Sequence, residues 1–323
     1  MSENGIFVYA SDIKSLAEDG NHYLDLGDYE KAITYYDKVL AIDPDDIGAL
    51  YNKGTALGEL ARYEEAVKLF DKVLAIDPNY VKALHNKGYS LNGLGRYEEA
   101  ITYFDKVLAI DPNNVSTLNS KGVALKNLGK YEEAIQYYDK VLAIDPNNVD
   151  AINNKANSLV TLVEGVGGVP PDFQNQSGNV SSINNNRDTP KTYSTYLIAY
   201  DNQIPSFVSI STSGNTNIQK YNEAIALYDK ALSITPDDPD ILTNKGKVLV
   251  IMDNQEEAID LFDKALSINA DHVGALYNKG EVLKQLGETA EAQELHDKAL
   301  QLDPTYVGGL INKVELVTES SAI

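Results

Sequence analysis

The sequence predicts an all-α solenoid that is built from repeated helix pairs and broken once by an inserted segment. The first observation is a phrase, Asp-Lys-Val-Leu-Ala-Ile, that returns at a constant step of 34 residues from Asp37 to Asp139. The second is a related phrase, Asp-Lys-Ala-Leu, that keeps the same step from Asp229 to Asp297. Self-similarity at this period is typical of arrays in which each unit packs on its neighbours.

Within each unit, two apolar stripes at helical spacing lie on either side of a short turn. In the unit that begins at Ile47, the first stripe contains Leu50, Leu57 and Leu60, and residues 63–74 contain the second. A turn glycine supplies a left-handed residue that ends the first helix, and an Asp-Pro dipeptide stops the second. The turn glycines are Gly27, Gly95, Gly129 and Gly287. Residues after the proline are expected to cap the next helix, namely Asp45, Asn79, Asn113 and Asn147.

Small residues recur at one position of each helix, where two helices must touch. A glycine inside a helix costs about 1 kcal/mol relative to alanine, so its regular return indicates a close approach to the backbone. On the first helices these residues are Gly20, Gly54, Gly88, Gly122, Gly246 and Gly280. On the second helices they are Ala32, Ala66, Ala100, Ala134, Ala224, Ala258 and Ala292. Large rings near these alanines, from Tyr36 to Phe262, are expected to form the core.

The spacing between the two blocks of repeats locates the inserted segment. Asp139 and Asp229 lie 90 residues apart, which is one period plus 56 residues. The sequence thus divides into repeats over 1–162, a Gly-, Asn- and Ser-rich insertion over 163–219, further repeats over 220–306, and a capping helix with a tail over 307–323. Two runs rich in Thr, Tyr, Ile and Val predict a β-hairpin over 192–213. Three arrangements of the insertion stay open: a loop, a hairpin packed on the helices, or a built-in ligand.

These features together resemble the tetratricopeptide repeat family, whose hallmarks are the small-residue pair, a tyrosine beside the turn and the closing proline. By this resemblance seven repeats begin near Ile13, Ile47, Val81, Val115, Val149, Pro239 and Val273. The family implies a right-handed superhelix, in which the first helices line the concave face and the ligands are usually extended peptides. The last two repeats depart from the pattern, with Gln255 and Thr289 in place of the tyrosine and Ala270 in place of one proline.

On the first helices, an asparagine stands two residues before the small residue. An asparagine amide both donates and accepts hydrogen bonds, so a row of amides can pair with a peptide backbone of any sequence. The row resembles the asparagine ladder of superhelical family members, although the same side chains could instead bond within their own repeat. The ladder residues are Asn52, Asn86, Asn154, Asn244, Asn278 and Asn312, with Ser120 in the fourth repeat. Their neighbours on the predicted peptide-binding face are Asn21, Lys82, Tyr51, His85, Tyr89 and Tyr277.

The sequence therefore predicts a scaffold or adaptor that binds extended segments of partner proteins in the concave groove. One alternative is a structural protein that self-associates through the insertion or its terminal helices. Another is a chaperone-tail adaptor that uses the family's carboxylate clamp. Asn21, Asn52 and Lys82 match clamp positions, whereas Ala17 and Asn86 replace the other two cations. A lysine follows each ladder position, and we expect its stem to cover apolar surface while its ammonium pairs with a carboxylate.

The composition limits the classes of partner and of chemistry. The net charge of −21 argues against nucleic acid or an anionic membrane as a main partner, because both attract basic surfaces. The chain has no cysteine and its four histidines lack metal-ligand spacing, so we expect no enzymatic activity, cofactor or metal site. No secretory signal or membrane-spanning stretch is recognised, which predicts a cytoplasmic protein.

Overall fold

The computed structural model describes residues 3–164 and 215–306, and the side chains over 12–163 and 217–306. Within these ranges the chain forms fourteen α-helices and no strand. The chain divides into two compact units, Met1–Asp145 and Pro146–Ile323. The predicted all-α fold of stacked helix pairs is confirmed. The predicted hairpin over 192–213, the capping helix over 307–323 and Asn312 lie outside the described residues.

The first unit contains four helix pairs. Its helices are α1 (Glu3–Asp25), α2 (Tyr29–Ile42), α3 (Ile47–Glu59), α4 (Tyr63–Ile76), α5 (Val81–Gly93), α6 (Tyr97–Ile110), α7 (Val115–Asn127) and α8 (Tyr131–Ile144). Each helix packs on the next one in the chain, both within a pair and from pair to pair. The first helix of one pair also contacts the first helix of the next pair. This unit therefore has the nearest-neighbour packing that a repeat array requires.

The described part of the second unit contains three helix pairs. Its helices are α9 (Val149–Glu164), α10 (Asn215–Ile234), α11 (Pro239–Ile251), α12 (Gln255–Ile268), α13 (Val273–Leu286) and α14 (Thr289–Leu302). Successive helices again pack on each other. The helix α10 begins six residues before Tyr221, the residue equivalent to the first residue of α8. The second helix of this repeat is thus longer than its counterparts on the side that joins the inserted residues.

The helix caps lie one residue later in the chain than the sequence suggested. The Asp46 carboxylate accepts the N–H of Ala49 at 2.7 Å and caps α3, while the N–H of Asp45 donates to Asp43 at 3.1 Å. Equivalent caps are made by Asn114, Asn148 and Asp238. The expected caps Asp45, Asn79, Asn113 and Asn147 are each one residue too early. The residue after the proline therefore lies in the turn, and the second residue after it caps the helix.

The close approach at the first-helix glycines is confirmed, and its partner is a ring on the second helix of the same repeat. A Cβ atom on Gly54 would lie 2.7 Å from Cε1 of Phe70, and one on Gly88 would lie 2.6 Å from Cε1 of Phe104. No real Cβ tolerates such a distance without a shift of the ring. The second-helix alanines beside these rings, such as Ala100, are fully buried. The glycine and the alanine thus create the space that the ring fills.

The predicted turn glycines adopt left-handed backbone conformations. Gly27, Gly95, Gly129 and Gly287 have φ angles between 73° and 90°. Two repeats make the same turn without glycine, with Ala61 at φ 56° and Asp253 at φ 64°. An L residue is strained in this region. The packing of the two helices therefore imposes the turn geometry, and glycine reduces the backbone strain of that geometry.

Candidate functional site

The predicted peptide-binding face of the first unit lies on α1, α3, α5 and α7. Asn21, Lys82 and Tyr89 are exposed, whereas the side chains between them are partly buried. The partly buried members are Tyr51, Asn52, His85 and Asn86. The polar side chains of this face therefore reach solvent while they also contact the surface of the helices.

The ladder asparagines of the first unit bond to the preceding repeat. Asn52 donates from Nδ2 to Oδ1 of Asn21 at 2.8 Å. Asn86 donates from Nδ2 to Oγ1 of Thr55 at 3.2 Å and to the Tyr51 hydroxyl at 3.1 Å. Asn21 and Thr55 occupy the same position in successive repeats, one residue after the small glycine. Each of these two ladder amides is thus held by the preceding repeat and not by its own repeat.

In the second unit the ladder asparagine of the last repeat is held differently. Asn278 donates from Nδ2 to the backbone oxygen of Gly274, one turn earlier on the same helix, at 2.6 Å. The residue equivalent to Asn21 in the repeat before it is Lys247, which has no acceptor atom. Asn278 therefore turns to its own backbone. Asn154 and Asn244, the other two described ladder residues of this unit, are partly exposed.

A second asparagine position serves two of the buried tyrosine hydroxyls, those of Tyr36 and Tyr228. Tyr36 donates to Oδ1 of Asn21 at 2.8 Å, and Tyr228 donates to Oδ1 of Asn157 at 2.6 Å. Where the core ring is Phe70, Phe104 or Phe262, the equivalent residue is not asparagine. Burial, aided by the charge of Asp25, raises the pKa of Tyr36 to about 12. In the sequence, this hydrogen bond is indicated where one repeat has both a core tyrosine and an asparagine at the position of Asn21.

The rings on the first helices pack against the core rings of their own repeats. The Tyr51 ring centroid lies 6.1 Å from Phe70 and 5.4 Å from Tyr80. The His85 ring centroid lies 5.9 Å from Phe104, and its Nδ1 lies 2.8 Å from Oγ1 of Thr117. Burial lowers the pKa of His85, so this imidazole is neutral at physiological pH. The face therefore carries uncharged rings at the positions of Tyr51 and His85.

Tyr277, the equivalent ring of the last repeat, lies in a cluster of its own. Its centroid is 5.0 Å from His296 and 5.4 Å from Tyr306. Burial, followed by the charge of Glu281, raises the pKa of Tyr277 to about 12. The predicted site residues thus form two groups, one in each unit, and each group combines asparagine with aromatic rings.

The lysines that follow the ladder positions pair with carboxylates, as expected. In the first unit Lys53 lies 2.5 Å from Asp37, and Lys87 pairs with Asp71. Burial acts to lower the pKa of Lys87, but the Asp71 carboxylate and the Tyr103 hydroxyl outweigh it and raise the pKa. The further pairs are Lys121 with Asp105, Lys155 with Glu223, Lys245 with Asp229 and Lys279 with Asp263. These lysines hold repeats together, because most of their partners belong to the preceding repeat.

Two other classes of site are absent from the described ranges. No group of three histidine, aspartate or glutamate side chains there has the arrangement of a metal site. No helix in the same ranges has the length and apolar character needed to cross a bilayer.

Comparison with known proteins agrees with the architecture. Tetratricopeptide repeat models match residues 81–114, 115–148, 23–88 and 252–314, and a TPR repeat model matches residues 218–253. No curated protein sequence matches the chain significantly. Among solved structures, a tetratricopeptide repeat protein from Parabacteroides merdae is similar with a TM-score of 0.64 at 16% identity, covering 94% of this chain and 97% of that one.

Two further solved structures share the fold at low identity. PilW, a type IV pilus biogenesis factor, has a TM-score of 0.58 at 19% identity, over 80% of this chain and 94% of that one. Pseudomonas aeruginosa pilF has a TM-score of 0.57 at 16% identity, over 84% of this chain and 99% of that one. These likenesses concern the fold, whereas the repeat models match more than half of the chain. The helix pairs, the glycine–ring contacts and these matches lead to one conclusion: the chain belongs to the tetratricopeptide repeat family.

Proposed function

We propose that the protein is an interaction scaffold whose first helices bind extended segments of partner proteins through the ladder asparagines. The observation that carries this proposal is the row itself. All five described ladder asparagines lie on first helices and are partly exposed: Asn52, Asn86, Asn154, Asn244 and Asn278. Asparagine is a poor helix former, so its repeated use at one exposed helical position has a cost that binding explains.

The hydrogen bonds of the ladder support this role. Asn52 and Asn86 each use an amide N–H to bond with the preceding repeat. An amide has two N–H groups and two acceptor lone pairs, so Asn52 keeps one N–H group and its oxygen for a ligand. Asn86 donates to both Thr55 and the Tyr51 hydroxyl and offers a ligand its oxygen. The bond to the neighbour fixes the orientation of the amide before a ligand arrives. Such preorganisation lowers the entropy loss on binding.

The surroundings of the ladder favour a peptide backbone as the ligand. The neutral His85 and the Tyr51 ring provide uncharged contact area beside Asn86. The adjacent lysines are engaged with carboxylates and add no open row of positive charge. Side-chain amides and aromatic rings are therefore the main groups that this face offers to a peptide backbone. We include neither nucleic acid nor a membrane among the proposed partners.

The test is the retention of a degenerate pool of unstructured peptides on the immobilised protein. A ladder variant carrying Asn52→Ala, Asn86→Ala and Asn278→Ala is compared with the intact chain. Each lost hydrogen bond is worth about 0.5–1.5 kcal/mol, so retention is expected to fall by about tenfold or more. The matched control removes three exposed asparagines elsewhere, by Asn79→Ala, Asn113→Ala and Asn222→Ala. The control is expected to retain the pool, with unchanged helicity in both variants.

Equal retention by the ladder and control variants would contradict the proposal. A dimeric mass in light scattering, combined with no peptide retention by the intact chain, would favour the self-associating structural protein instead. Loss of retention on Lys82→Ala alone, with the ladder variant unaffected, would favour the carboxylate-clamp adaptor.

A further inference from the structure

One aromatic ring on the first-helix face is exposed without a structural reason. Tyr89 is 52% exposed, and it is the one ring among the exposed large apolar side chains of the described residues. The other rings of this face, Tyr51 and His85, pack on core rings of their own repeats. Exposed tyrosine on a binding face is a feature of recognition sites, where it provides contact area at low entropic cost.

Two contacts determine which groups lie beside Tyr89. The bond from Asn86 to Thr55 aligns α5 with α3, and one turn later a Cβ atom on Gly58 would lie 3.9 Å from Oγ of Ser90. Glu59 follows Gly58, and Tyr89 precedes Ser90. The register of the two helices therefore places Glu59 at the C-terminal end of α3 beside the turn of α5 that carries Tyr89. Glu59 makes no ion pair with any described residue.

A second tyrosine borders the same patch. A Cβ atom on Gly93 would lie 2.6 Å from Cε2 of Tyr63, so the Tyr63 ring rests on the end of α5. Gly93 is one helical turn after Tyr89 and lies on the same side of the helix. Partial burial, followed by the proximity of Tyr63 and then of Glu59, raises the pKa of Tyr89. All three side chains thus surround one spot at the edge of the face.

The chemistry of this spot suits a positive charge. A cation is attracted to the face of a tyrosine ring, and a neighbouring carboxylate adds a direct charge interaction. A net charge of −21 also favours the approach of a basic segment. We propose that Glu59, Tyr63 and Tyr89 form a subsite for a lysine or arginine side chain of the segment bound in the first unit. This inference rests on the proposed peptide-binding function.

No other described repeat has an aromatic ring at the position of Tyr89 beside a carboxylate at the position of Glu59. The residues equivalent to Tyr89 are Asn21, Thr55, Val123, Asn157, Lys247 and Glu281. None of these residues is aromatic. A carboxylate at the position equivalent to Glu59, such as Asp25, therefore has no aromatic ring beside it that could bind the same cation. The subsite therefore fixes the register of the bound segment, because only one register places its basic residue at Tyr89.

The experiment compares two peptide pools on the immobilised full-length protein. Both pools are degenerate except at a central residue, which is lysine in one and norleucine in the other. The intact chain is expected to retain the lysine pool about two- to fivefold more strongly, as cation–π contacts at exposed sites give. Glu59→Gln and Tyr89→Leu should bring the ratio towards one. Tyr89→Phe keeps the ring and should keep the preference.

The matched control is Glu64→Gln, which removes an exposed carboxylate from α4 and changes the net charge by the same amount. It should leave the preference unchanged. A preference that survives both Glu59→Gln and Tyr89→Leu would come from net charge and would overturn the subsite. Equal retention of both pools by the intact chain, with loss in the ladder variant, would overturn the subsite and leave the proposed function standing. No retention of either pool would overturn both.

Discussion

The third and seventh repeats place an imidazole in opposite positions of the same ring pair. In the third repeat His85 stands on the first helix and the buried core ring is Phe104. In the seventh, Tyr277 stands on the first helix and the core ring is His296, which is 3% exposed. Both core rings rest on a first-helix glycine at the same distance, since a Cβ atom there would lie 2.6 Å away.

The difference shows that the glycine contact requires a flat ring at the core position. Whether that ring can be polar depends on the hydrogen-bond partners that the adjacent first helix provides. Phe104 needs no hydrogen-bond partner. His296 Nε2 lies 3.1 Å from the Glu281 carboxylate and 3.3 Å from the backbone oxygen of Tyr277. A buried imidazole without such hydrogen-bond partners would destabilise the folded state. The third repeat has Tyr89 where the seventh has Glu281, so it could not support a core imidazole equally well.

The largest effect is expected when the core ring is removed. Phe104→Ala leaves a cavity in a fully buried site and should cost about 3–5 kcal/mol, because buried contacts are lost without replacement. His296→Ala should cost less, since the imidazole is smaller. Hydrogen exchange of α5 and α6, against α13 and α14, measures each loss locally. Ile110→Ala, at a half-exposed side chain, is the control and should cost under about 1 kcal/mol. Equal losses from both ring removals would contradict the comparison.

An exchange of the two core rings is expected to have an intermediate effect of opposite sign in the two repeats. Phe104→His buries an imidazole without a carboxylate partner and should destabilise the third repeat by about 1–3 kcal/mol. His296→Phe removes a polar group whose partner Glu281 is partly exposed, and should be neutral or slightly stabilising. The measurement is again local hydrogen exchange. Destabilisation by both substitutions would show that ring shape, too, differs between the repeats.

The smallest expected effect is a loss of thermal stability that appears only at alkaline pH and arises from Tyr277. The pKa of Tyr277 is raised to about 12 by burial, above the ordinary tyrosine value of 10.0. The folded state therefore favours the neutral phenol, so its contribution is complete below pH 10 and is lost as the pH rises towards 12. We expect thermal midpoints, followed by circular dichroism, to be flat to pH 9 and to fall above pH 10.

Tyr277→Phe should lower this alkaline loss without changing neutral stability. Tyr36→Phe is the informative companion, because the Tyr36 hydroxyl donates to Asn21 and its removal should also cost stability at pH 7. An alkaline fall that is identical in the intact chain and in both variants would assign the loss to other groups.

The architecture was predictable from the sequence because the physical rules that define it are local and repeated. A constant step, a glycine and an alanine at fixed positions and a closing proline determine the helix pairs. The same reasoning correctly predicted that Lys53, Lys87 and their equivalents pair with carboxylates. It placed the caps one residue too early, because both residues after the proline are of the capping type and only backbone geometry distinguishes Asp45 from Asp46.

The partners of the ladder could not be read from one repeat at a time. Asn86 reaches Thr55 in the neighbouring repeat, and this contact depends on how two first helices are aligned. Asn278 lacks such an acceptor and bonds to its own helix. The ring partner of each glycine was equally hidden, although the pairing of Gly88 with Phe104 has an equivalent in each of the six described repeats that carry this glycine. Contacts between elements, unlike the elements, needed the structure.

The lysine–aspartate pairs have a consequence for how the array responds to salt. Each pair from Lys53–Asp37 to Lys279–Asp263 joins one repeat to the next, whereas the contacts of a core ring with its glycine, such as Phe104 with Gly88, lie inside a repeat. In a linear array, the coupling between neighbours and the stability of each unit are separate quantities. Ions screen charge pairs and leave ring packing intact. Ionic strength should therefore act as a control on cooperativity, so that repeats melt more independently of one another as salt is added.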